Sequence, residues 1–120
     1  MKVKILCYSG CSTCKKALKW LKDNSVEFEN REITIDNPTS KELNEWIELS
    51  DKPVTKFFNT SGKKYKELGL KDVVKSATQN ELIELLSSDG MLVKRPILVG
   101  DNRVLVGFKE AEWSELLLCN

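Results

Sequence analysis

The feature that most restricts this chain lies near its start, where a strand pattern runs through a tight turn and two cysteines into a helix. Val3 to Tyr8 reads as a short, largely buried strand. Ser9-Gly10 is a turn signal. From Ser12 to about Asn24, Cys14, Ala17, Leu18 and Leu21 recur at helical spacing and share one face, while Lys15, Lys16, Lys19 and Lys22 take the others. Val26 to Ile35 reads as a second strand. Its alternation changes phase near Asn30, which foresees a bulge or an early end. Two strands joined through one helix demand a parallel pair with a right-handed crossover. The Cys11-Ser12-Thr13-Cys14 motif therefore sits at the strand-to-helix junction of a β-α-β unit.

The 120 residues fit a single domain spanning 1–120. A chain of that size buries a hydrophobic core without disulfide staples. The net charge of +1 argues against a general nucleic-acid or anionic-membrane binder. No apolar run approaches a membrane-spanning length. The start, Met1 to Tyr8, is too short and too alternating for a signal peptide. The expected compartment is the cytoplasm, with the four cysteines as reduced thiols. There is no histidine, which excludes Ser-His, Cys-His and His-metal chemistry together. The chemistry must run on cysteine, carboxylate, hydroxyl, lysine or arginine.

After the loop Asp36-Asn37-Pro38, Thr39 and Glu42 form a capping box that opens a helix burying Leu43, Trp46 and Ile47. Residues from about Pro53 to Lys75 are lysine-rich and read as short helices and turns. Thr78 and Glu81 form a second capping box, opening a helix with Leu82, Leu85 and Leu86 on one side. Gly90 is placed to end it. Met91 to Val99 contains a strand interrupted by Lys94-Arg95-Pro96. Gly100-Asp101-Asn102 is a hairpin signal, Val104 to Val106 the next strand, and Lys109 to Leu118 a final amphipathic helix. The result is an α/β chain with a mixed four-stranded sheet flanked by helices, the thioredoxin-type layout.

At the start of a helix, free backbone N–H groups and a partial positive charge favour a thiolate. That predicts a lowered pKa and reactivity for Cys11. The same donors, at Ser12 and Thr13, are candidates to hold a small anion. Cys14 lies one turn later on the apolar face, so it is expected to be sheltered. The asymmetry suits a two-step cycle in which Cys11 attacks a substrate and Cys14 then attacks Cys11. Zinc needs about four ligands, and no second pair or histidine supplies them, so no metal is expected. The bland alternative is two incidental buried cysteines. Arg95-Pro96 leaves two readings open. A cis-proline beside the cysteine motif would make Arg95 a forked anion donor. A trans-proline opening an edge strand would leave Arg95 in solvent. Cys7 is expected in the core, Cys119 near the end as a remote thiol, Lys63-Lys64-Tyr65-Lys66 as a solvated face, and Trp20, Trp46 and Trp113 as packing residues.

Four blocks, Cys11 to Ala17, Phe57 to Gly62, Tyr65 to Leu70 and Lys94 to Ile97, resemble the arsenate reductase (ArsC) and Spx family in order and spacing. The resemblance implies a thioredoxin-like fold with a helical lobe, about 52–88, inserted beside the cysteine loop. It implies a thiol-dependent reductase with Cys11 as nucleophile and an oxyanion held by three arginines. Only Arg95, before Pro96, matches one of them. Asn59 or Thr60 stands near the position of the second, and Val106 or Gly107 near the third. The implied substrate is a small oxyanion or thiol compound, with no bound cofactor. Thioredoxin, glutaredoxin or glutathione would be the electron donor, and a monomer is expected. The alternative implied by Spx is a redox-gated regulator that binds RNA polymerase at the C-terminal domain of its α chain, the alpha subunit. The Phe57 to Gly62 block is more similar to a third, reductase-like branch.

Overall fold

The computed structural model describes residues 2–118. Its sheet has the strand order β2-β1-β3-β4, built from β1 (Val3–Cys7), β2 (Phe28–Glu32), β3 (Ile97–Val99) and β4 (Val104–Val106). β1 runs parallel to β2, with Val3 opposite Phe28, and antiparallel to β3, with Ile5 opposite Leu98. β3 and β4 form the antiparallel hairpin, closed where the Gly100 N–H donates to the Arg103 carbonyl at 2.8 Å. Mixed pairing of this kind is what the β-α-β start and closing hairpin require.

Because strand side chains alternate, β1, β3 and β4 divide their apolar residues between two cores. Val3, Ile5, Leu98 and Leu105 face α1 (Ser12–Asp23) and α6 (Glu110–Leu117), burying Cys14, Ala17, Leu21 and Trp113. Trp113 is fully buried and donates its indole N–H to the Gly107 carbonyl at 3.2 Å. Leu6, Ile97 and Val104 face the opposite core. There they meet α2 (Ser40–Ser50), α3 (Lys63–Glu67), α4 (Leu70–Ser76) and α5 (Gln79–Ser88). Both foreseen capping boxes are formed. Thr39 and Glu42 exchange bonds of 3.1 Å at the start of α2, and Thr78 and Glu81 bonds of 3.2 and 2.9 Å at the start of α5.

Two local expectations are corrected. The second strand takes the early end left open by the phase change near Asn30, stopping at Glu32 instead of running to Ile35, and Ile35 lies in solvent. The half-buried Arg31 gathers the following turn around itself. It donates to the Asp36 and Asn37 carbonyls at 2.8 and 3.0 Å and pairs through both terminal nitrogens with Glu42 at 2.7 and 2.9 Å. Gly90 does not end α5 in a left-handed conformation. It opens the one-turn helix Gly90–Leu92, where an added Cβ would overlap the Ile33 carbonyl. Close approach, not turn geometry, is what calls for glycine there.

The helices between β2 and β3 are tied to the segment that leads into β3. Asn59 N–H donates to the Leu92 carbonyl and Lys94 N–H to the Phe57 carbonyl, each at 2.8 Å, around a Phe58–Val93 bridge. Asn59 and Arg95, on the segments this seam joins, line one cavity together with Cys11 and Thr13. No helix among the described residues is long and apolar enough to cross a membrane.

Candidate active site

Cys11 is the N-cap of α1. Its backbone is extended (φ −92°, ψ 120°), and its N–H closes the preceding turn on the Tyr8 carbonyl at 3.0 Å. At this position a serine or aspartate oxygen ordinarily accepts the N–H groups of the first turn. The Cys11 side chain makes no such bond in the thiol form. Cys11 is partly exposed and opens on a cavity of about 770 Å³.

Cys14, one turn further, is 1% exposed. Its sulfur accepts the Tyr8 backbone N–H at 3.5 Å. Cys7, at the end of β1, is buried beside it. The neighbouring Cys7 thiol is the largest influence on the Cys14 thiol. Burial opposes it, while the Tyr8 N–H, Cys11 and the Arg95 charge add to it, and the net effect lowers Cys14 to about 6. Cys7 moves the other way. Its bond to Cys14, its burial and the neighbouring negative charges hold it as a thiol. Cys7, Cys11 and Cys14 are all free thiols. A smaller hollow of about 230 Å³ lies on this side, lined by Cys7, Cys14 and Glu32 among others. Glu32 accepts the Ser9 N–H at 3.0 Å.

Arg95 precedes Pro96 through a cis peptide, so of the two open readings the cis form is the one present. Its guanidinium lies over the Tyr8 ring, 5.1 Å from the centroid, and contacts the Met91 carbonyl at 3.5 Å. Its Nε is buried and has no hydrogen-bond partner. A buried donor left unpaired is costly unless a ligand supplies the acceptor.

The cavity brings together four of the residues singled out from sequence: Cys11, Thr13, Asn59 and Arg95. Ser12 is exposed and Pro96 buried, and neither lines it. Cys14 stands behind Cys11, away from the opening. Val106 and Gly107, the positions nearest the third arginine of the resemblance, form part of the wall. Lys63 and Lys64, expected as a solvated face, also line it, as do Lys52, Lys56, Lys94 and Lys109, which sequence reasoning missed. These lysines come from separate segments and share no period, so only the fold shows that they converge. Cys119 lies outside the described residues.

The ArsC family model matches residues 6–116. The chain belongs to the ArsC family. The Bacillus subtilis protein YusI is 44% identical over 90% of this chain and 92% of its own length. The regulatory protein MgsR of Bacillus subtilis is 31% identical over 91% of this chain and 85% of its own. The crystal structure of an ArsC-family-related protein from Bacteroides fragilis superposes with a TM-score of 0.94 at 54% identity, covering 97% of this chain and 98% of that one. The thioredoxin-like architecture and the ArsC/Spx resemblance thus stand, with regulatory proteins among the relatives.

Proposed function

We propose that this ArsC-family chain is a thiol-disulfide oxidoreductase with Cys11 as nucleophile and Cys14 as resolving thiol. The observation that carries the reading is the depth difference between the two sulfurs. One caps α1 at the mouth of a cavity, and the other is enclosed one turn below, with a backbone N–H aimed at its sulfur. Cys11 thiolate attacks an oxidised substrate and leaves a covalent adduct. Cys14, poised as thiolate by its neighbours, attacks the Cys11 sulfur and expels the product. A low pKa supplies the resolving thiolate at neutral pH without a histidine. Arg95, with its unpaired Nε, and the Thr13 end of α1 bind the substrate's negative group, and Asn59 borders the same space. Arsenate is the weaker substrate, because the family arginines expected near Asn59 and near Val106–Gly107 are missing. Reducing equivalents come from thioredoxin, glutaredoxin or glutathione.

The test is a donor-coupled disulfide reduction assay. Cys11→Ser abolishes turnover, and Cys14→Ser accumulates the adduct on Cys11. Equal turnover by wild type and Cys11→Ser would overturn the reading.

The kinship with the regulatory protein MgsR favours a second reading, a redox-gated regulator, for which the Spx resemblance implies binding to the C-terminal domain of the RNA polymerase α chain. Closing the disulfide would alter the start of α1 and the neighbouring helices. Mixing the protein with that domain under oxidising and reducing conditions decides it, and no binding in either state removes it.

A further inference from the structure

We infer that the disulfide reduced at Cys11 is a small molecule bearing several phosphate charges, an inference that rests on the oxidoreductase reading above. The chain as a whole balances 19 basic against 18 acidic residues. The cavity at Cys11 does not. Arg95 and six lysines line it, and not one carboxylate does. Lys63 and Lys64 are each held by an acidic neighbour, Glu67 at 3.7 Å and Asp89 at 3.6 Å. Among the described residues, Lys52, Lys56, Lys94, Lys109 and Arg95 have no carboxylate within ion-pair distance. The buried, unpaired Nε of Arg95 is a further donor in search of an acceptor.

Size points the same way. The cavity of about 770 Å³ is in the range that holds a whole organic ligand. A tetrahedral oxyanion displaces only a few waters of about 30 Å³ each and would leave most of the space to solvent. Met91, Val106 and Phe108 add apolar wall for an uncharged or heterocyclic body. Glutathione disulfide fits less well. It carries ammonium groups beside its carboxylates, and the cavity offers them no negative partner.

The chemistry balances within the proposed cycle. Cys11 thiolate attacks one sulfur of R–S–S–R, the substrate S–S bond breaks, and the first RS⁻ leaves with the electron pair. Cys14 thiolate then attacks Cys11 of the Cys11–S–S–R adduct, and the second RS⁻ leaves. Two electrons pass from the protein thiols to the substrate. The protons released by Cys11 and Cys14 reach the two products through solvent. A dithiol protein or glutathione re-reduces the Cys11–Cys14 disulfide.

The experiment compares kcat/KM for coenzyme A disulfide with that for pantethine, the same disulfide without nucleotide or phosphate, with glutathione disulfide as a carboxylate-bearing arm. Coenzyme A disulfide is expected to exceed both by ~100-fold at low ionic strength, within the range that field focusing contributes. In about 1 M salt, where the Debye length is ~3 Å, the ratio collapses. The triple variant Lys56→Gln, Lys94→Gln, Lys109→Gln lowers the coenzyme A disulfide to pantethine ratio by about tenfold, and the ratio cancels any general loss of folded protein. Equal kcat/KM for the three disulfides overturns the inference and leaves the oxidoreductase intact. Preference for glutathione disulfide overturns it in favour of carboxylates. No reduction of any of them above the Cys11→Ser level overturns the oxidoreductase reading and the inference with it.

Discussion

Replacing Cys7 with alanine removes the buried neighbouring thiol that most favours the Cys14 thiolate. Cys14 is depressed from 9.0 to about 6, with the Cys7 bond as the first cause and the Tyr8 N–H and Arg95 retained in the variant. A hydrogen bond to a charged group is worth about 1.5–3 kcal/mol. At 1.36 kcal/mol per unit, its loss moves Cys14 up by about 1–2 units, to about 7–8. At pH 7 the thiolate fraction then falls by about fourfold if the pKa reaches about 7.5. A more basic thiolate is also more nucleophilic, by about fivefold for that shift with a Brønsted slope of about 0.45. The two effects nearly cancel, so the rate at pH 7 barely moves, while the midpoint of the pH profile moves up by more than a unit. The assay is single-turnover release of a chromophoric thiol from a preformed Cys11 mixed disulfide, followed from pH 5 to 9. In parallel, thiolate absorbance is titrated in the Cys11→Ser background. Cys7→Ser, which keeps an O–H donor, holds the midpoint near its original place. An unmoved midpoint in Cys7→Ala would refute the claim that the buried thiol pair sets the resolving step.

Further outcomes are expected elsewhere in the molecule. Trp113→Ala empties the core between α1, α6 and the sheet and lowers stability by about 3–5 kcal/mol, read from chemical denaturation. Gly90→Ala forces a methyl against the Ile33 carbonyl and costs about 1–3 kcal/mol in the same measurement, whereas Gly69→Ala, with nothing near its Cβ, costs only the strain of a positive φ. Glu42 is lowered from 4.5 to about 2 by its bond to Arg31, so its contribution is complete above pH 4.5 and fades as pH falls towards 2. That contribution is about 2 kcal/mol after discounting for partial exposure, and Glu42→Gln removes the corresponding part of the acid-unfolding profile. Arg95→Lys keeps the charge but loses the forked donor, raising KM for an anionic substrate more than it lowers kcat, as steady-state kinetics will show.

What could be read in the residues was local chemistry. The alternation in β1, the helical face of Cys14, Ala17 and Leu21, the two Thr-x-x-Glu capping boxes and the β3–β4 turn each carry their signal within a few neighbours, and each formed. The phase change near Asn30 left a bulge or an early end of β2 open, and the early end formed; the Arg31 bond to Glu42, eleven positions away, that gathers the turn after it did not show. The role of Gly90 was hidden for the same reason, since its constraint comes from the Ile33 carbonyl across the fold. At the site, the partly exposed Cys11 and buried Cys14 follow from position at a helix start. The thiol pairing of Cys14 with Cys7 does not, because it needs the end of β1 to lie beside the first turn of α1. The basic cavity was the least legible feature. Lys52, Lys56, Lys94 and Lys109 are scattered among acidic residues in a chain of nearly neutral charge, and they line one cavity with Cys11 only once the fold joins their segments.

The division of labour between Cys11 and Cys14 is tested most directly by peptide mapping in the mass spectrometer after one equivalent of a disulfide substrate. The wild type is expected to carry a Cys11–Cys14 disulfide, Cys14→Ser the substrate thiol attached to Cys11, and Cys11→Ser no adduct. An adduct on Cys14 or Cys7 while Cys11 remains free would contradict it.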